Sequence, residues 1–148
     1  MAVIDASVYI AVVNAHEESH ERCMRWLQQA VAEELPLWAP SIMLAEVAAA
    51  LTRGLQDPSK VMGAAALLRN SKVIRLQAVS VALAERAAQI ASDQKIRGCD
   101  AVYVALAPTG KLTVLLMLPD PLAVQVPPPA PAQVHVQVRD AGKVSVTV

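Results

Sequence analysis

The chain has 148 residues, 55% of them hydrophobic, with 13 basic and 13 acidic side chains and a formal net charge of zero. That length suits one domain with a sizeable core, and the charge balance gives no bulk electrostatic footprint for nucleic acid. No charge-free run reaches the roughly 18 residues of a membrane span, and Asp5 arrives with no basic stretch before it, unlike a signal peptide. A cytoplasmic protein with no membrane partner is expected. Cys23 and Cys99 are too few and too far apart to frame disulfides, so they read as two small buried thiols in a reducing compartment.

The β-branched pair Val3 and Ile4 predicts a short buried strand almost at the N-terminus. Asp5 then interrupts the apolar run, Ser7 follows two residues later, and residues 8–13 are apolar again. A carboxylate and a hydroxyl at the carboxyl end of a central strand stand where open α/β sheets bind their ligands. Asp is equally a favoured helix N-cap, so both roles stay open for Asp5 at this point. His16 and His20, four apart, could share a helix face as metal ligands, but no third ligand stands nearby, and surface histidines are expected. Onward to Leu35, the residues Cys23, Trp26, Leu27, Ala30 and Val31 recur at three- and four-residue spacing, which predicts an amphipathic helix.

Residues 37–39, between Pro36 and Pro40, suit a brief parallel strand, and Ser41 is placed to cap the next helix. That helix, residues 42–51, is apolar nearly all round apart from Glu46. An unpaired buried carboxylate is costly, so Glu46 needs water, a cation or hydrogen-bond donors. Arg53, two turns on, is one candidate partner and a metal ion is another. Residues 54–59 read as a turn, 61–68 as a helix, 73–76 as a strand, and Ser80 as the cap of a further helix. Asp100 follows Gly98 at the first turn of a short apolar helix over 101–106, where an acid also suits the helix dipole. Strands and helices alternating in this way predict a parallel sheet covered by helices.

Composition changes after Pro108. Seven of the ten prolines lie between Pro108 and Pro131, and only Asp120 and Asp140 follow Asp100 among the acids. Residues 112–118 can form a buried strand, and residues 126–131 read as extended and partly polyproline-like. Val134, Val136 and Val138, then Val144, Val146 and Val148, alternate with polar residues around a turn at 140–143. This predicts a β-hairpin.

Three stretches in this order resemble PIN-domain ribonucleases, especially the toxin of VapBC-type toxin–antitoxin pairs. They are Val-Ile-Asp-Ala-Ser at the N-terminus, Ser-Ile-Met-Leu-Ala-Glu-Val in an early helix, and Arg-Gly-Cys-Asp-Ala-Val-Tyr-Val-Ala-Leu-Ala near residue 100. The resemblance covers about residues 1–107. It implies a three-layer α/β/α sandwich with a central, mainly parallel sheet over residues 1–118. Residues 119–148 then form a Pro-rich segment and an atypical C-terminal β-hairpin packed on the same domain. It also implies an endoribonuclease that uses Mg²⁺ or Mn²⁺ to hydrolyse RNA phosphodiesters through a metal-activated water. Asp5, Glu46 and Asp100 become the catalytic and metal-ligating carboxylates, with Ser7 supporting the site beside Asp5. The implied partners are an RNA substrate, a cognate antitoxin and a second copy of the chain in a homodimer. Hard divalent ions prefer oxygen donors, which matches carboxylates better than histidines.

The resemblance fails at one place. A family-like ending would put an Asp where an ungapped continuation from Ala107 puts Leu118, and Asp120 takes that supporting role only after a two-residue shift, between two prolines. A replaced or frame-shifted C-terminus would account for so abrupt a change. The competing expectation is therefore a catalytically weak PIN domain kept as a protein-interaction module. An aspartyl-phosphate enzyme using Asp5 as nucleophile is disfavoured, because such sites want a second Asp where this chain has Ser7.

Overall fold

The computed structural model describes residues 1–54 and 57–107, together with the backbone of three strands at 113–117, 135–139 and 143–147. Strand β1 (Ala2–Ile4) is fully buried, as its β-branched residues suggest, and runs directly into helix α1 (Ala6–Val13). Helix α2 (His20–Ala32) follows, then β2 (Leu37–Pro40), α3 (Met43–Gly54), α4 (Pro58–Arg69) and β3 (Ile74–Gln77). Helices α5 (Val81–Gln94) and α6 (Gly98–Leu106) lead to β4 (Thr113–Met117), and a hairpin of β5 (His135–Arg139) and β6 (Lys143–Thr147) closes the series.

The sheet has the order β3-β2-β1-β4-β6-β5. Strands β3, β2, β1 and β4 are parallel neighbours, while β6 pairs antiparallel with both β4 and β5. Register places Val3 between Trp38 on β2 and Val114 on β4. The chain winds outward from β1 through β2 to β3, then returns to add β4 on the other side of β1. The carboxyl end of β1 is therefore the switch point of the sheet, where the crossovers on either side diverge and leave a crevice. Asp5 is the residue that follows that end.

Apolar side chains from both sides of the sheet meet around β1 and β2. Val3, Leu37, Ala39, Met43, Val47 and Leu68 are wholly excluded from water, and Tyr103 of α6 joins the same cluster. A second cluster, Val8, Ala11 and Cys23, joins α1 to α2, and a third, Ala87, Ala101 and Ala105, joins α5 to α6. This α/β sandwich is the architecture the alternating pattern predicts.

Local boundaries move for identifiable reasons. The amphipathic helix begins only at His20, whose ring nitrogen is 2.8 Å from the Ala11 carbonyl and so ties α2 back to α1. Val31, expected on the buried stripe, is half exposed, and the buried face is made by Cys23 and Ala30 with Trp26 and Leu27 packed beside them. Helix α4 starts three residues early because Asp57 caps it and Pro58 occupies its first turn, where a missing N–H costs nothing. Ser80 caps α5 as expected, accepting from the Leu83 N–H. The two thiols do not match each other: Cys23 is buried, but Cys99 is exposed, since it sits in the first turn of α6 facing the site described below. No helix among the described residues is long and apolar enough to cross a membrane.

Candidate active site

Asp5 is the one buried charged residue among the described positions, 7% exposed. Its Oδ1 accepts the Val8 N–H at 2.9 Å, so the capping role is real. Its Oδ2 accepts the Ser7 hydroxyl at 3.4 Å, which places Ser7 beside Asp5 as expected. Extended backbone at Asp5 (φ −94°, ψ 173°) turns the chain from strand to helix within one residue. The carboxylate is thereby held at the mouth of the sheet crevice.

Glu46 lies in the first turn of α3 and is half-buried. Its partner is neither water alone nor Arg53. The Tyr103 hydroxyl donates to Glu46 Oε2, and the Ala6 N–H donates in turn to that hydroxyl. One phenol therefore joins α6, α3 and the start of α1. Burial pushes the Tyr103 hydroxyl far above its ordinary range, followed by its bond to Glu46 and the negative charges of Glu46 and Asp5. It stays protonated at any physiological pH.

Asp100 stands in the first turn of α6, its side chain 17% exposed. Both of its oxygens are engaged by one guanidinium: Arg97 Nε donates to Oδ2 at 2.8 Å and Nη2 to Oδ1 at 3.1 Å. Between Arg97 and Asp100, the Cys99 thiol is raised by partial desolvation, by the charge of Glu46 and a hydrogen bond to it, and by the charge of Asp100; Arg97 opposes these. Arg97 in turn feels Asp100, Cys99 and Glu46. Asp5, Glu46 and Asp100 thus belong to one electrostatic neighbourhood, linked through Tyr103, Cys99 and Arg97. Asp120, considered from the sequence as a fourth acid, lies outside the described residues.

Three carboxylates are the right donors in kind for a hard divalent cation. As they stand they are not a formed ligand set: among the described residues no three Asp, Glu, His or Cys side chains make a group able to hold a metal ion. His16 and His20 add nothing to such a site.

Sequence reasoning missed Tyr103 and Arg97. A signal existed for the first. The chain has two tyrosines and no phenylalanine, and a tyrosine at a core position of an aliphatic helix implies a partner for its O–H. Arg97 carried a weaker one, three residues before Asp100 and so one helical turn from it.

The chain belongs to the PIN-domain family, whose sequence model matches residues 2–117. No curated protein sequence matches it. Among solved structures it is similar to Mycobacterium tuberculosis VapC20, a toxin that cleaves the sarcin–ricin loop, with 24% identity over 72% of this chain and 80% of that one and a TM-score of 0.60. It is also similar to a toxin–antitoxin complex from Klebsiella pneumoniae, with 18% identity over 83% and 91% and a TM-score of 0.55. A third is FitAcB from Neisseria gonorrhoeae, with 22% identity over 71% and 78% and a TM-score of 0.54. At these identities the likeness is one of fold.

Proposed function

We propose that the chain is an endoribonuclease, the toxin of a type II toxin–antitoxin pair, with Asp5, Glu46 and Asp100 as its acids and Mg²⁺ or Mn²⁺ as its cofactor. One observation carries the reading: a buried hydroxyl, Tyr103, ties Glu46 to the strand-to-helix turn at Asp5, at the switch point of the parallel sheet, with Asp100 one turn before it on α6.

The residues of the chain divide the work. Tyr103 holds the orientation of Glu46, the Val8 N–H and Ser7 hold that of Asp5, and the buried β1 strand fixes the base on which both rest. Facing an RNA phosphate, such acids repel it, so a cation between them is required. Bound there, Mg²⁺ or Mn²⁺ would neutralise that repulsion and supply an activated water for in-line attack. The RNA would be read by its shape through surface loops. With RNA as its substrate, the protein would act in the cytoplasm. The toxin–antitoxin complex among the similar structures supports an antitoxin as partner. A second copy of the chain, in a homodimer, is the further partner proposed.

The second reading is a catalytically weak PIN domain that serves as an interaction module, and Arg97 favours it by occupying both oxygens of Asp100. Incubating the full chain with RNA, with and without Mg²⁺ or Mn²⁺, separates the two. The ribonuclease reading expects metal-dependent cleavage abolished by EDTA and by Asp5→Asn. Cleavage absent with both metals, or surviving Asp5→Asn, sustains the second reading or a contaminating nuclease and overturns the first.

A further inference from the structure

Arg97 occupies an odd position for an arginine. It is the N-cap residue of α6, with φ −64° and ψ 145°, and makes no side-chain capping bond. Arg has no acceptor for the first-turn N–H groups, and its charge lies at the positive end of the helix dipole. Nothing in helix formation calls for it there. Its side chain instead folds along the first turn to Asp100, spending Nε and Nη2 on both carboxylate oxygens. The arginine side chain is 74% exposed while that of Asp100 is 17% exposed. The guanidinium therefore lies on the solvent side of the acid and holds both of its oxygens. It stands within the field of Glu46 as well.

We propose that Arg97 is the resident counter-ion of Asp100 and sets the affinity of the carboxylate site for a divalent cation, because guanidinium and cation compete for the same two oxygens. The inference rests on the reading of Asp100 as a cation ligand. An exposed ion pair is weak in water, so displacement is feasible, and the opposing effect on cation affinity is modest. Once displaced, the guanidinium remains at the mouth of the site, with its donors free for an incoming phosphate.

The test is Mn²⁺ binding to the full chain by calorimetry and by the loss of free-ion paramagnetic resonance signal, without RNA. Arg97→Gln is expected to bind Mn²⁺ about two- to fivefold more tightly than the parent. Arg97→Ser, which supplies a helix cap, should do the same with an unchanged or higher melting temperature. Arg25→Gln removes an equal charge from a pair with Glu21 on α2 and should leave Mn²⁺ affinity unchanged. Unchanged or weaker binding by both Arg97 variants, with binding still lost in Asp100→Asn, overturns the counter-ion role alone. A tightening equal to that of Arg25→Gln overturns it too, since the effect is then one of net charge. Binding indifferent to Asp100→Asn, or absent from every variant, overturns the reading of the site together with it.

Discussion

The hydroxyl of Tyr103 donates a hydrogen bond to Glu46, joining α6 to α3 across 57 positions of sequence. The bond lies in the core: Tyr103 is 2% exposed and packs with residues of β1, β2 and α3. It is the point at which the packing of the fold and the placement of the site become one interaction.

A pH signature follows from that burial. The Tyr103 hydroxyl is held protonated in the folded chain, whereas in the unfolded chain it ionises near its ordinary value of 10.0. A group whose folded pKa is raised contributes stability that is complete below the unfolded value and is lost as pH rises above it. Between pH 10 and 11 this amounts to about 1 kcal/mol for the one group, approaching about 1.4 kcal/mol per pH unit above that. Denaturant titrations should show the parent losing its advantage over Tyr103→Phe progressively above pH 10, with a constant difference between pH 7 and 9. A difference that stays constant to pH 11 would contradict the buried phenol.

Substitutions at Asp5 separate its helix-capping role from its proposed catalytic one. Asn caps a helix as well as Asp does, so Asp5→Asn should keep stability within about 0.5 kcal/mol while abolishing RNA cleavage. Asp5→Ala loses the bond to the Val8 N–H as well, and should lower stability by about 1 kcal/mol. Chemical denaturation of the two variants beside the parent checks this. Equal destabilisation by both would mean that the charge itself holds the fold.

Cys99 reports on the acids without any assay of activity. Its thiol is raised by partial desolvation and by the negative charges of Glu46 and Asp100, and the thiolate is the reactive form. At pH 8 Cys99 should alkylate more slowly than a free cysteine although the residue is exposed. Glu46→Gln should accelerate it, and Arg97→Gln should slow it further, because Arg97 opposes the shift. Iodoacetamide kinetics read by mass spectrometry measure both. Indifference of the rate to Glu46→Gln would separate the two acids in space.

One stabilising change is also expected. Lys95 ends α5 in the left-handed conformation, φ 54° and ψ 35°, which costs a side-chain-bearing residue energy that glycine does not pay. Lys95→Gly should raise stability by about 0.5–1 kcal/mol, seen as a higher melting temperature. A lower one would show that the lysine side chain contributes more than its backbone strain.

The parallel sheet and several of its elements were legible because each carries its own local cue. Val3-Ile4 is too apolar and β-branched to be anything but a buried strand, and the prolines at 36 and 40 bracket β2. Ser80 caps α5 by the side-chain chemistry its position predicts. Asp5 and Asp100 stood out as acids beside apolar runs, and Glu46 as the one charge within residues 42–51. Their actual partners were not legible, because they come from tertiary packing. Glu46 had Arg53 two turns away on its own helix, yet its donor comes from α6, which reaches it only through the sheet. Cys99 looked like a core thiol by residue type, but its place in the exposed first turn of α6 decided otherwise. The pairing of Arg97 with Asp100 uses an ordinary helical spacing that many surface pairs share, so nothing in its pattern marked it.

The central claim, that Asp5, Glu46 and Asp100 act as one site, is tested most directly by the rates of metal-dependent RNA cleavage in Asp5→Asn, Glu46→Gln, Asp100→Asn and the triple variant. Groups that act as a unit are strongly non-additive. Each single substitution should therefore cost about as much as all three together, on the order of 100-fold or more. Additive losses, or full activity in any one of the single variants, would contradict it.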